Sequence, residues 1–280
     1  MLLKKIKRIP FKIQYFFREL IRRNINMKVT YKFPDYSPHV GGKGKAFDKA
    51  TEFNIRNLPK LLSEISTYNK PVKILNINDL EYEESLLAKI EKTFNKNGSD
   101  KIWHGKYEKI YAYIFHNLLS NPTNILEIGI GSKNKKFLSH MGNNEITGGS
   151  LRSFKELFPD SKIIGADIDI DEKLSLQKEN IDLYYVDQMN RSTVENLFKK
   201  FNFKFDLIID DGLHLESSNL LVILFGLRKL EKNGVMVIED IGQSALKTWI
   251  ITSNILGERY STYLIDRDGL GYCFIIQRLN

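Results

Sequence analysis

The sequence predicts an α/β protein built on a doubly wound, mostly parallel sheet of seven strands, preceded by a mostly helical N-terminal appendage. Three observations predict it. From Asn124 onward, short apolar, β-prone runs alternate with helical periods, the pattern of successive βα units. Several of these runs end in acids, as in LEIG, ADID, VDQ, IIDDGLH and VIED, and the C-terminal ends of parallel strands are where open α/β sheets bind ligands. The last two runs are joined only by DRDGLG, which is too short for a helical crossover and predicts an antiparallel hairpin.

The elements follow in order. Residues 1–28 form a basic amphipathic segment with nine of the chain's 42 bases and one of its 34 acids. Pro10 interrupts it, so a helix is expected from about Phe11 to Arg23. Such a helix can lie on an anionic membrane surface, or it can pack its apolar side on the domain or a partner subunit, the reading favoured here. The remaining 252 residues hold 33 bases and 33 acids. The net charge of +8 is therefore local, which argues against nucleic acid as a partner. An appendage over 29–98 begins with a loop over 29–57 and continues with a helix at 57–66, a strand at 72–77 and a helix at 81–94. The main domain spans 99–280. A helix at 107–119 leads to strands at 124–128, 162–167, 181–186, 205–210, 234–239, 260–265 and 272–278. Helices are expected at 149–158, 171–178, 191–201, 216–231 and 243–256.

Composition narrows the class. A 42% hydrophobic content suits a sizeable globular core. The single cysteine, Cys273, excludes an intrachain disulfide and a cysteine-rich zinc cluster. No run approaches the ~18 apolar residues of a membrane span, and no secretory signal is read at the N-terminus, so a cytoplasmic protein is expected.

The run NILEIGIGS places Gly129 and Gly131 just after a buried strand, where they let a ligand approach the backbone. A dinucleotide pattern would need a glycine where Asn134 stands, and Glu127 would repel a phosphate. The pattern favours a ligand with an amine and no phosphate at that point. Ser150, opening the next helix, is expected to be its N-cap, with the helix N-terminus facing the ligand's carboxylate.

ILEIGIG resembles motif I of the class I S-adenosylmethionine-dependent methyltransferases, a family with a Rossmann-like seven-stranded sheet. The resemblance implies that Glu127 faces the methionine part of the cofactor. It further implies that Asp167 binds the ribose, with Asp169 as a substitute, and that Asp187 and Gln188 lie on the adenine side. Asp210 is assigned to the cofactor side or the local framework. A narrower resemblance rests on SDK at 99–101, HGKY at 104–107, GGSLRSFKELFPDSKIIGADID, the DQ pair, IIDDGLH and VIEDI. Together these segments are similar to the macrocin and mycinamicin type of sugar O-methyltransferase and to relatives associated with bacterial polysaccharide synthesis. That resemblance implies that Asp211, Glu239 and Asp240 bind magnesium and that His214 is the base. An oxygen-rich donor set suits magnesium, with manganese as the alternative.

The expected function is metal-dependent methyl transfer from S-adenosylmethionine to a sugar hydroxyl of a bacterial glycan or its activated, nucleotide-linked or lipid-linked precursor, such as a capsule component. Peripheral contact with the inner membrane surface and a homo-oligomer are further expectations. Two alternatives stay open: an N-methyltransferase acting on a small or phosphorylated amine, and a non-catalytic binding subunit with the same fold.

Overall fold

The computed structural model describes residues 72–102, 106–134 and 146–279, all within one compact unit, Tyr68–Asn280. The expected basic helix, the loop over 29–57, the helix over 57–66 and most of the insertion over 132–147 lie outside the described residues.

Strand β1 (Lys73–Asn76) and helix α1 (Glu84–Lys96) come first, then a 3-10 turn at Asp100–Ile102. Helix α2 (Tyr107–Tyr113) continues into a π-helical turn at Ile114–Leu118. The alternating part comprises β2 (Asn124–Ile128), α3 (Gly149–Leu157), β3 (Lys162–Asp167), α4 (Lys173–Lys178), β4 (Ile181–Tyr185), α5 (Arg191–Lys199), β5 (Phe205–Asp210), α6 (Glu216–Gly226) and β6 (Leu230–Ile241). It closes with α7 (Leu246–Leu256), β7 (Tyr260–Asp266) and β8 (Tyr272–Arg278).

These strands form one sheet of eight, ordered β1-β7-β8-β6-β5-β2-β3-β4. The strand beyond the expected seven is β1, which pairs in parallel with β7 at the sheet edge. Helix α1 buries Leu87, Ile90 and Phe94 in the same core, so residues 73–96 share the sheet and core of the part that the sequence reading begins at 99. Strand β8 runs antiparallel to β6 and β7, as the short connection requires. The helix expected over 216–231 stops at Gly226, because Leu230 already pairs with Phe205 and is fully buried as a strand residue.

The two-residue period of a strand decides which acids meet. Glu127 lies opposite Ile209, and Ile209 lies opposite Val237. Two residues beyond Ile209 and Val237 come Asp211 and Glu239, on the same face of the sheet as Glu127. That face is covered by α1, α2 and α3. Asp210, one residue out of phase, takes the other face, which α5, α6 and α7 cover. Beyond Ile238 the pairing of β6 with β8 shifts register before resuming at Ile241. Such a bulge releases Glu239 and Asp240 from the regular ladder.

Phe154 of α3 fixes α2 over the strand ends, with ring centroids 5.7 Å from Phe94, 5.2 Å from Tyr111 and 6.4 Å from Phe115. Phe154→Ala is expected to destabilise the fold by about 3–5 kcal/mol, read from the urea unfolding midpoint. A loss below about 1 kcal/mol would show that this aromatic layer does not hold α2 in place.

Candidate active site

At the sheet edge, the turn after β2 is built by neighbours as much as by its own glycines. Gly129 has φ +86°, and a Cβ there would lie 2.2 Å from the Asp211 carbonyl oxygen. The close approach that demands glycine at this position is thus to the turn after β5. Gly131 also has positive φ. Asp167 is buried, and its two carboxylate oxygens accept from Ile130 N and Asp169 N, both at 2.8 Å. It ties the ends of β2 and β3 together, while Asp169 accepts from the Ser132 hydroxyl. Half-buried Asp187 accepts from Met189 N at 2.9 Å.

The turn after β5 is braced from two sides. Gln188 donates to Asp210 Oδ1 at 2.7 Å and accepts from Leu213 N at 2.8 Å. Asn219 of α6 donates to Asp210 Oδ2 at 2.8 Å. Gln188, expected on the adenine side, and Asp210, assigned to the cofactor side or the local framework, here shape the loop that carries Asp211 and His214.

Glu127 is fully buried; its Oε2 accepts from the Ser150 hydroxyl at 2.6 Å, whereas Oε1 has no hydrogen-bond partner. Ser150 is not the N-cap expected from the sequence. Gly148, at φ +72°, takes that position and leaves the serine hydroxyl free to turn inward.

The centre of the site is a lysine that sequence reasoning did not assign. Lys101, in the 3-10 turn and 2% exposed, places Nζ 2.6 Å from Asp211 Oδ2, 2.8 Å from Glu239 Oε2 and 3.2 Å from Glu127 Oε1. Burial disfavours its charge, but the three carboxylates outweigh burial and raise its pKa well above the usual lysine value. Burial pushes the Glu127 carboxyl up to about 7 against the pull of Lys101. Burial and the neighbouring Asp211 raise Glu239 well above the usual carboxylate range against the pull of Lys101. The other oxygen of Glu239, Oε1, accepts from the Tyr111 hydroxyl.

Asp240 is held differently. Its Oδ1 accepts from Tyr107 at 2.9 Å and lies 2.8 Å from Arg267 Nη2, and its backbone N–H donates to the Tyr107 oxygen at 2.7 Å. Burial opposes its ionisation, yet His214, Arg267 and Tyr107 together hold its carboxyl below the usual range. Its Oδ2 stands 3.9 Å from His214 Nε2. His214 and Asp240 both adopt left-handed backbone, at φ +54° and +53°. Non-glycine residues rarely take this conformation, and it concentrates at functional sites.

Three residues come together in a cation-binding geometry: ligand atoms of Asp211, His214 and Asp240 all lie within 4.8 Å of one another. Opposite ligands of an octahedral magnesium stand about 4.2 Å apart, so a small divalent ion would draw these atoms slightly closer together. The carboxyl groups of Glu127, Asp211, Glu239 and Asp240 face two cations, Lys101 and Arg267. Glu239 adjoins this cluster with its carboxylate turned to Lys101 and Tyr111.

Sequence reasoning also missed Tyr107, Tyr111 and Arg267. The i, i+4 spacing of the two tyrosines places both hydroxyls on one face of α2, a signal open to a sequence reading. Arg267 sits in the turn read only as a hairpin connection.

The match to a solved structure decides the fold. The MycE methyltransferase, solved with Mg, SAH and mycinamycin VI, aligns with TM-score 0.54 and 19% identity over 69% of this chain and 55% of that one. This chain has the class I methyltransferase fold. No protein-family model matches it. In sequence, the methyltransferase-fold chain is similar to the 8-demethyl-8-(2-methoxy-alpha-L-rhamnosyl)-tetracenomycin-C 3'-O-methyltransferase of Streptomyces olivaceus, with 27% identity over 52% of this chain and 35% of the relative. It is also similar to the mycinamicin VI 2''-O-methyltransferase of Micromonospora griseorubida, with 28% identity over 47% of this chain and 30% of the relative. The matched stretch spans about a third of each curated relative.

The folded unit keeps a proton on Glu127 in a pH range where the unfolded chain has lost it. Stability therefore falls as pH rises from 4.5 to about 7, and ionising Glu127 above that range costs up to about 3 kcal/mol. Glu127→Gln removes this cost, so its stability relative to wild type is expected to rise between about pH 5 and about pH 8. Urea unfolding of both proteins at the two pH values checks this. Parallel pH dependence would show that Glu127 does not titrate in that window.

Proposed function

We propose that this protein transfers a methyl group from S-adenosylmethionine to a sugar hydroxyl with the help of a divalent cation, magnesium or manganese. The observation that carries the proposal is the convergence of two carboxylates able to hold a cation, Asp211 and Asp240, with His214 beside them as a base, all within 4.8 Å of one another, next to a buried Glu127 whose Oε1 meets Lys101 Nζ at 3.2 Å. A carboxylate oxygen of that kind suits the amine of a methionine moiety. The resemblance to sugar O-methyltransferases and to a magnesium- and SAH-bound relative supports the same reading.

In this reading Glu127 orients the cofactor's amine, with Ser150 fixing its carboxylate. Asp167, Asp187 and the backbone at Gly129 and Gly131 line the cofactor side, and Gln188 and Asp210 act by holding the loop. Asp211 and Asp240 would hold the ion, with Glu239 as the adjoining third acid, and the ion would supply Lewis acidity toward a bound hydroxyl. His214, about one-third exposed, accepts the hydroxyl proton at Nε2, and Asp240 Oδ2 at 3.9 Å stabilises the resulting imidazolium. The methyl group is already activated by its sulfonium, so alignment of acceptor and cofactor is the remaining task.

For the acceptor we propose the sugar of a glycan or glycoside, with a bacterial surface polysaccharide precursor as the specific case. The basic segment 1–28 supports work near an anionic membrane. Among the described residues no helix is long and apolar enough to cross one.

His214→Ala is expected to lower kcat by about 10²- to 10⁴-fold while leaving SAH affinity unchanged by calorimetry, and chelation of divalent ions is expected to abolish turnover. The assay uses a panel of sugars and glycosides beside a panel of small amines. Turnover of amines alone, or full activity under chelation, would overturn the proposal.

A further inference from the structure

The position of Lys101 raises a question that the catalytic reading does not answer. Its ammonium sits among the acids expected to serve the metal, at 2.6 Å from Asp211 and 2.8 Å from Glu239. Lys101 is held there firmly, being buried and within 5.7–6.0 Å of the Tyr107 and Tyr111 ring centres. Glu239 has no oxygen to spare, because Oε2 accepts from Lys101 and Oε1 from Tyr111. A divalent ion that draws on Glu239 must therefore share or take an oxygen from Lys101 or Tyr111, and one that draws on Asp211 binds a carboxylate whose Oδ2 already holds an ammonium. Like charges this close repel strongly in a partly dry site.

We infer that Lys101 is an internal competitor for the metal: its ammonium occupies the inner part of the acidic cage and sets divalent-ion affinity from within. This rests on reading the site as a divalent-cation centre. Lys101 touches neither cofactor nor acceptor in this account and acts as a positioning residue through Asp211 and Glu239. Its benefit lies in the metal-free protein, where three carboxylates buried side by side would otherwise have no cation among them. Its consequence is a weaker and more readily reversible metal site than the acids alone would give. The ammonium's third contact is Glu127 Oε1 at 3.2 Å.

Titration of Mn²⁺ alone into the metal-free full chain, followed by calorimetry, tests the inference. Lys101→Met is expected to bind Mn²⁺ roughly tenfold tighter or more than wild type, and Lys101→Arg, which keeps the charge, is expected to stay close to wild type. A lysine with a purely structural role would give the opposite result, weaker binding in the methionine variant. Lys106→Met removes a cation from the half-exposed pair with Asp268 and is expected to leave Mn²⁺ affinity unchanged. An equal gain in that variant would reduce the effect to general charge and overturn the inference. Should Lys101→Met fail to fold, Glu239→Gln and Lys101→Met/Glu239→Gln carry the comparison with fewer buried charges. The double variant is expected to bind at least about fivefold tighter than the single one, and equal affinities overturn the inference. If wild type binds no Mn²⁺, the metal reading fails and takes this inference with it. If wild type binds and Lys101→Met does not tighten, the competitor role alone fails.

Discussion

Parallel strands that end at one edge bring their terminal residues together, and here those residues are acids. Glu127, Asp211 and Glu239 come from three adjacent strands, β2, β5 and β6, and share one face of the sheet. Buried carboxylates at this density hold together only with cations among them. The βα units themselves provide none at that point. Lys101 arrives from the 3-10 turn ahead of α2, and Arg267 arrives from the β7–β8 hairpin. Residues before β2 are therefore part of the site, since they supply Lys101 and the two tyrosines that bond Glu239 and Asp240.

The backbone around these acids is as constrained as their charges. The register shift after Ile238 and the left-handed conformations of Asp240 and His214 are each unfavourable in isolation. They persist because neighbours over-determine them. Tyr107 grips Asp240 through both backbone and side chain, while Gln188 and Asn219 lock the loop leading to His214 through Asp210. Supporting hydrogen bonds of this kind hold reacting groups in place before any ligand arrives.

The alternating part of the fold was legible because strand burial and helix periodicity agree there; β2, β3 and β5 fall on the expected residues. Strand β1 was visible as an apolar run, but its place in the sheet was not, because edge pairing with a strand nearly 190 residues later leaves no local mark. The acids were legible for a different reason: carboxylates at the ends of apolar runs conflict with burial, and such conflict signals a site. Lys101 lies in SDK, a segment that carries the resemblance, but it gave no chemical signal of its own. A lysine in a polar stretch reads as a solvated surface residue, and only the tertiary fold shows it at the centre of the acids.

Burial also divides the site into two zones. Glu127 and Glu239 are essentially fully buried, and their carboxyls are raised toward the neutral form, while Asp240 lies toward solvent and is held ionised. The exposed zone also holds His214 and the accessible oxygen of Asp240. In the proposed reaction a polar acceptor entering from solvent would meet that zone first, and its hydroxyl would not have to cross the inner acids. The inner zone, closed by Lys101, Tyr111 and Ser150, is left to recognise a cation. Carboxylates that would repel one another in a single pocket are thus separated by depth, and the lysine stands at the boundary between them.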